Sequence, residues 1–173
     1  MVYIRRFIWF VARWLIGMTV AIGILICAFY MCLNTSNIYI VVKDGMETRV
    51  DVILTRENAE NLNNYFHPNF LGADPALGGA FNGTSAYSDY AISGYDYDLS
   101  IESLWAWPWN VYATCTVVER VGSITGKVSS KNSEVSSKIP PWQGGRYELT
   151  LGRSDGKWKI MGMKQTATVL EAE

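Results

Sequence analysis

The side chains able to do chemistry in this chain are few and scattered. The only histidine, His67, stands beside Pro68 at the end of a predicted helix. A charged imidazole there favours a helix C-terminus, and that role competes with general acid or base work. Asp96 and Asp98 share one face of a predicted strand, as a carboxylate pair would, but they alternate with apolar residues and so face water. Tyr65, Tyr95, Tyr97 and Tyr112 fit core or cross-strand packing as readily as proton donation. Cys115 sits in an alternating apolar pattern with no His or base beside it to lower its pKa, and reads as a small buried hydrophobe. The sequence has no metal-ligand cluster, glycine-rich phosphate loop or nucleophile elbow. We therefore assign no catalytic residue, metal or cofactor from it.

The unusual local feature is aromatic. Trp105, Trp107 and Trp109 crowd around Pro108. Two readings compete: the indoles cap or fill the end of a sheet, or alternate ones form an exposed anchor for a partner protein or for a membrane surface.

These residues hang on elements that begin with the membrane. Trp14 to Leu33 is a run of twenty residues without a charge, and a helix of that length spans about 30 Å, the thickness of a bilayer's hydrocarbon core. Arg5, Arg6 and Arg13 precede it, and the next basic residue is Lys43. The positive-inside bias then leaves residues 1–13 as a short cytoplasmic tail of a plasma-membrane protein, with everything after the span outside. A cleaved signal peptide is the competing reading. Against it, the run exceeds the usual apolar core, and LICAFYMCLNTS puts bulky residues where a cleavage site needs small ones. Gly17 with Ala21, and Gly23 with Cys27, offer small-residue pairs for helix dimerisation.

All 16 acidic residues lie after Leu33, whereas 3 of the 15 basic ones lie before it. The outer part is net acidic, which argues against nucleic acid and against adhesion to anionic lipid. Only Cys115 of the three cysteines belongs to it, so packing rather than a disulfide must hold it together. Asn34-Thr35-Ser36 and Asn82-Gly83-Thr84 match the glycan acceptor pattern.

After a connector over 34–42, Val42, Met46, Val50, Ile53 and Leu54 recur at helical spacing, with Lys43, Glu47, Arg49 and Asp51 on the other face. Thr55 is the expected N-cap of a second helix carrying Ala59, Leu62 and Phe66, ended by Pro68. Residues 69–88, rich in Gly, Ala, Asn and Ser, read as a loop with at most one helical turn. Tyr95, Tyr97, Leu99 and Ile101 then alternate with polar residues, Trp105 to Asn110 breaks the pattern, and Val111 to Val121 resumes it with Ala113, Cys115, Val117 and Glu119 on one face. Residues 129–141 form a polar link. Tyr147, Leu149 and Leu151, a turn at Ser154-Asp155-Gly156, and Trp158 with Ile160 predict a closing hairpin. The fold class is α+β: a transmembrane helix over 14–33, then a domain over 43–169 of two or more helices packed on a curved, mainly antiparallel sheet of about four strands.

Three stretches, GMETRVDVILTRENAENLNNYF, YDYDLSIESLWAWPWNVYATCTVVERV and GGRYELTLGRSDGKWKIMGM, give this part of the chain an order that resembles the nuclear transport factor 2-like superfamily. The resemblance implies a cone-like domain with an open end. Family enzymes place an Asp or His base and a Tyr donor inside it, which makes His67, Tyr65 and Tyr97 the ligand-pocket candidates here. A single span followed by such a domain is also similar to the inner-membrane assembly component of type IV secretion and conjugation machines. That likeness implies a scaffold or protein-binding part of a membrane complex, possible homo-oligomers included, with Trp105, Trp107 and Trp109 as partner-binding candidates. The alternative from another class is a membrane-tethered ligand binder or enzyme that uses the cone interior.

Overall fold

A single helix, α1 (Val2–Thr55), takes up 54 residues and runs for about 80 Å at ~1.5 Å per residue. The structure, a computed structural model, describes residues 2–129 and 136–169. From Tyr3 to Leu33 nearly every side chain of α1 is exposed, apolar ones included, and the helix is long and apolar enough to cross a membrane. Its character changes at Asn34. From there every fourth residue, Asn34, Ile38, Val42, Met46 and Val50, is buried. The predicted connector is therefore the middle of the same helix. Asn34-Thr35-Ser36-Asn37 is polar, but it holds neither Gly nor Pro to stop the backbone ladder, and the buried stripe continues through it.

Thr55 ends α1 instead of capping a second helix. Arg56 and Asn58 take positive φ values of 65° and 55° and turn the chain. A 3-10 turn over Ala59–Asn61 leads into α2 (Leu62–Tyr65), which buries Leu62. Pro68 starts a helix where the sequence pattern has it ending one. Two short helices, α3 (Pro68–Ala73) and α4 (Pro75–Asn82), occupy most of the expected loop, each with Pro in its first turn. The residue before each proline supplies the cap: His67 Nδ1 accepts from the Asn69 N–H at 3.3 Å, and Asp74 Oδ1 from the Ala76 N–H at 3.0 Å.

Four strands follow, β1 (Tyr90–Trp105), β2 (Tyr112–Val128), β3 (Gly144–Ser154) and β4 (Lys157–Val169). They pair antiparallel in the order of the chain, leaving β1 and β4 as the edges of a curved, unclosed sheet. Register shifts between Ile92 and Gly94, Gly94 and Asp96, and Ile101 and Ser103 lie in the first pair, and bulges of this kind bend and twist a strand. The predicted hairpin is present, with Asp155 and Gly156 both at positive φ, 52° and 77°, as a two-residue turn between twisted strands requires.

Helix α1 packs on both edge strands and so covers one face of the sheet. Between them lie Leu54, Phe66, Leu77, Val117, Leu149, Leu151, Trp158 and Ile160. As expected, Tyr147, Leu149, Leu151 and Cys115 point inward, and Asp96 and Asp98 are exposed. Of the polar link, residues 130–135 lie outside the described residues. The described remainder is tied down: the Tyr90 hydroxyl donates to the Ser136 carbonyl at 3.0 Å, the Tyr87 hydroxyl donates to the Pro141 carbonyl at 3.2 Å, and Tyr87 stacks on Trp142.

Candidate functional site

The interior holds a polar cluster that helical and strand spacing place there. Arg49 falls three residues after Met46 and four before Ile53, on the buried stripe of α1 and not on its wet face as expected. Its guanidinium grips Asp74 through Nε at 2.6 Å and Nη2 at 3.2 Å, a two-pronged ion pair with both side chains buried. Burial alone would lower the Arg49 pKa, but the hydrogen bond and charge of Asp74, aided by Glu119, hold it above its ordinary value. Asp74 thus joins α1 to the start of α4, which it also caps.

Glu119 points inward from β2 among Cys115, Val117 and Val121, with 0% of its surface exposed. Its Oε1 accepts from the Trp142 indole N–H at 3.0 Å, while Oε2 has no hydrogen-bond partner among the described residues. Burial raises its pKa, opposed by Arg49 and the Trp142 bond. The buried hydroxyl of Tyr97 on β1 is likewise unpartnered among the described residues, and burial, then the charges of Glu119 and Glu47, push its pKa up. Tyr147 completes the group, raised to about 12 chiefly by burial. A protonated Glu119 leaves a balanced Arg49–Asp74 pair, and an ionised one leaves an excess negative charge in the core. The cluster can therefore accept a proton or pair with a donor. Cys115 is raised to about 11 by burial, which removes it as a nucleophile. Among the described residues, no three His, Cys, Asp or Glu side chains converge as metal ligands.

The ligand-pocket candidates do not form one site. His67 caps α3 and donates its backbone N–H to the Ile160 carbonyl on β4 at 2.9 Å. It thus acts at a helix N-terminus and not at the C-terminus expected for it. Tyr65 packs on Gly45 of α1 beside Ile160, whereas Tyr97 lies on β1 at the opposite edge of the sheet. Cavities open elsewhere. One of about 420 Å³, at the C-terminal end of α1, is lined by Asp51, Thr55, Arg56, Tyr90 and Tyr95. Asp44, Glu47 and Thr48 line a neighbour of about 370 Å³ that shares Asp51 and Tyr95. Neither is lined by His67, Tyr65 or Tyr97.

At the other end of the sheet, the β1–β2 loop buries Ala106 and turns its tryptophans out: Trp105 is 59%, Trp107 38% and Trp109 67% exposed. Trp107 stacks on Trp109 at 5.2 Å between ring centroids and meets Trp105 edge-on at 5.4 Å. Asn34 fastens this loop to α1. Its Nδ2 donates to the Trp107 carbonyl at 3.2 Å, and its Oδ1 accepts from Arg153 and from the Trp158 indole N–H, both at 2.9 Å. With its amide so engaged and its side chain buried, Asn34 is closed to glycosylation in the folded domain.

Glu119 and Arg49 are each a charge on a stripe that is otherwise apolar, a signal that places Glu119 with Ala113, Cys115 and Val117 but is missed for Arg49, whose charged neighbours on α1 suggest a wet face. Nothing in the sequence pairs Arg49 with Asp74 or Asn34 with Trp158. No family model, curated protein or solved structure matches the chain.

Proposed function

We propose that the chain is a single-pass membrane protein with its N-terminus in the cytoplasm and a nuclear transport factor 2-like, cone-shaped domain outside. In this reading the domain is a scaffold or protein-binding component of a membrane complex, of the kind that assembles secretion and conjugation machines. The observation that carries it is the division of α1 at Asn34. Before it lie some thirty exposed helical residues, the last twenty of them without a charge, a surface that water does not tolerate; after it, the same helix is the spine of the domain core. Such a helix has no hinge between span and domain, so it holds the domain at a fixed attitude to the bilayer. Fixed presentation suits assembly more than turnover. Purification of the full-length protein in detergent or nanodiscs at native expression tests it. Recovery with fixed stoichiometry inside a defined membrane complex is expected, and a protein that emerges alone overturns the scaffold role.

The second reading, a membrane-tethered ligand binder using the domain interior, draws on Glu119 Oε2 and the Tyr97 hydroxyl, buried and unpartnered among the described residues. A ligand there would raise the Tm of the native chain and leave Glu119→Gln unmoved.

A further inference from the structure

We infer that the Trp105–Trp109 loop, together with Arg153, is a second membrane contact of this protein, seated in the headgroup layer of the same bilayer that α1 crosses. The inference rests on the proposed span and goes beyond it. The loop stands at the height of the bilayer surface. Asn34, whose side chain holds the Trp107 carbonyl, is one residue past the end of the uncharged apolar run at Leu33. A helical turn is about 5 Å, so the loop stands within a turn or so of the level at which α1 leaves the hydrocarbon. Tyr30, four residues before Asn34 and so on the same face of α1, is exposed one turn below.

The composition of the loop suits that level. Tryptophan, with an apolar body and one N–H, concentrates at the boundary between hydrocarbon and headgroups. Three exposed indoles are joined here by Val111 and Tyr112, also exposed at the start of β2. Exposed Arg153 lies beside them, donating to the Asn34 side chain at 2.9 Å and towards the Pro108 carbonyl at 3.4 Å, with its guanidinium 5.0 Å from the ring centre of Trp158. Lys157 follows across the turn that holds Asp155. An aromatic rim carrying cations fits a phosphate-bearing surface. The domain's acidic groove does not oppose this contact. Asp44 is ten residues beyond Asn34 on α1, about 15 Å further from the bilayer, and Glu47 and Asp51 are further still.

The unbroken helix ties the domain's attitude to that of the span, and a second attachment holds the two together against tilt and rotation in the bilayer. The test places an environment-sensitive fluorophore on single cysteines of the full-length chain, in a Cys27→Ala, Cys32→Ala background that retains buried Cys115. Vesicles of phosphatidylcholine and phosphatidylglycerol carry quenchers either at the headgroup or near the chain end. Labels at Trp109→Cys, and at Val111→Cys as a second site outside the core, should lose emission mainly to the headgroup quencher and be shielded from aqueous iodide. A Gly23→Cys label should lose emission mainly to the chain-end quencher, and a Glu57→Cys label should stay open to iodide. If the loop labels are as open to iodide as Glu57→Cys while Gly23→Cys is deep, the inference fails and the indoles are left for a protein partner, with the span intact. If Gly23→Cys is itself open to iodide, the span is wrong and the inference falls with it.

Discussion

The side-chain oxygen of Asn34 accepts the indole N–H of Trp158 at 2.9 Å, joining residues 124 positions apart. The first turn of α1 beyond its apolar run is thereby bolted to the last strand of the sheet. Arg153 shares the same oxygen, and the amide nitrogen takes the Trp107 carbonyl, so one small side chain serves three segments. Replacing Asn34 by Ala leaves the buried Trp158 N–H without that acceptor, a loss of about 1–3 kcal/mol. Thermal unfolding of the full chain in detergent should show a clearly lower Tm for Asn34→Ala, and an unchanged Tm would mean that the junction does not hold the domain.

The Arg49–Asp74 pair is the domain's main buried ionic contact between α1 and the short helices. Removing either partner strands a buried charge at a cost of about 3–5 kcal/mol. Asp74→Ala also removes the α4 cap, worth about 1 kcal/mol more. Urea unfolding should find Arg49→Met and Asp74→Ala each strongly destabilised and the double variant less so than their sum. Additive losses would contradict the pairing.

Glu119 sets the sign of a pH effect. Burial holds its folded pKa above the ordinary 4.5, so the folded chain keeps this proton to higher pH than the unfolded chain does. Its contribution to stability is fullest below the ordinary value and declines as pH rises from there through the raised folded value. Glu119→Gln, which keeps an acceptor for Trp142, should melt above the native protein at neutral pH, with the difference shrinking towards pH 4. A variant that melts lower at neutral pH would show that Arg49 needs this carboxylate charged.

Gly45 tests packing against propensity. Alanine is favoured over glycine inside a helix by about 1 kcal/mol. A methyl group at Gly45, however, would meet Tyr65 Cβ at 2.9 Å and Ile160 Cδ1 at 3.3 Å. The Tyr65 contact lies at the root of a side chain and cannot swing away, so Gly45→Ala should lower the Tm. A rise would mean that α2 has room to move off α1.

Much of this fold is legible in the chain because its periods are long and unbroken: the apolar run of α1, the alternation in Tyr95–Ile101 and Ala113–Val121, and the Asp155–Gly156 turn. The short helices α3 and α4 escape periodicity because six or eight residues make too few turns to display it. Their signal is local, a capping residue followed by proline at His67–Pro68 and Asp74–Pro75. The interior site was legible only in halves. Glu119 breaks an apolar strand face and so calls for a counter-group, whereas Arg49 reads as one of four charges on the wet face of α1, and the partners, Asp74 and Trp142, sit in segments with no period to orient them. Trp142 lies just past a polar link, where a lone large aromatic signals docking onto the core.

The account turns on α1 crossing a bilayer with its two halves in different compartments. The most direct measurement labels Tyr3→Cys and Glu57→Cys, in the Cys27→Ala, Cys32→Ala background, with a membrane-impermeant maleimide in sealed right-side-out vesicles, alongside alkaline carbonate extraction. The account predicts that carbonate leaves the protein in the membrane, that Glu57→Cys labels at once, and that Tyr3→Cys labels only after permeabilisation. Release by carbonate, or equal labelling at both positions in sealed vesicles, would contradict it.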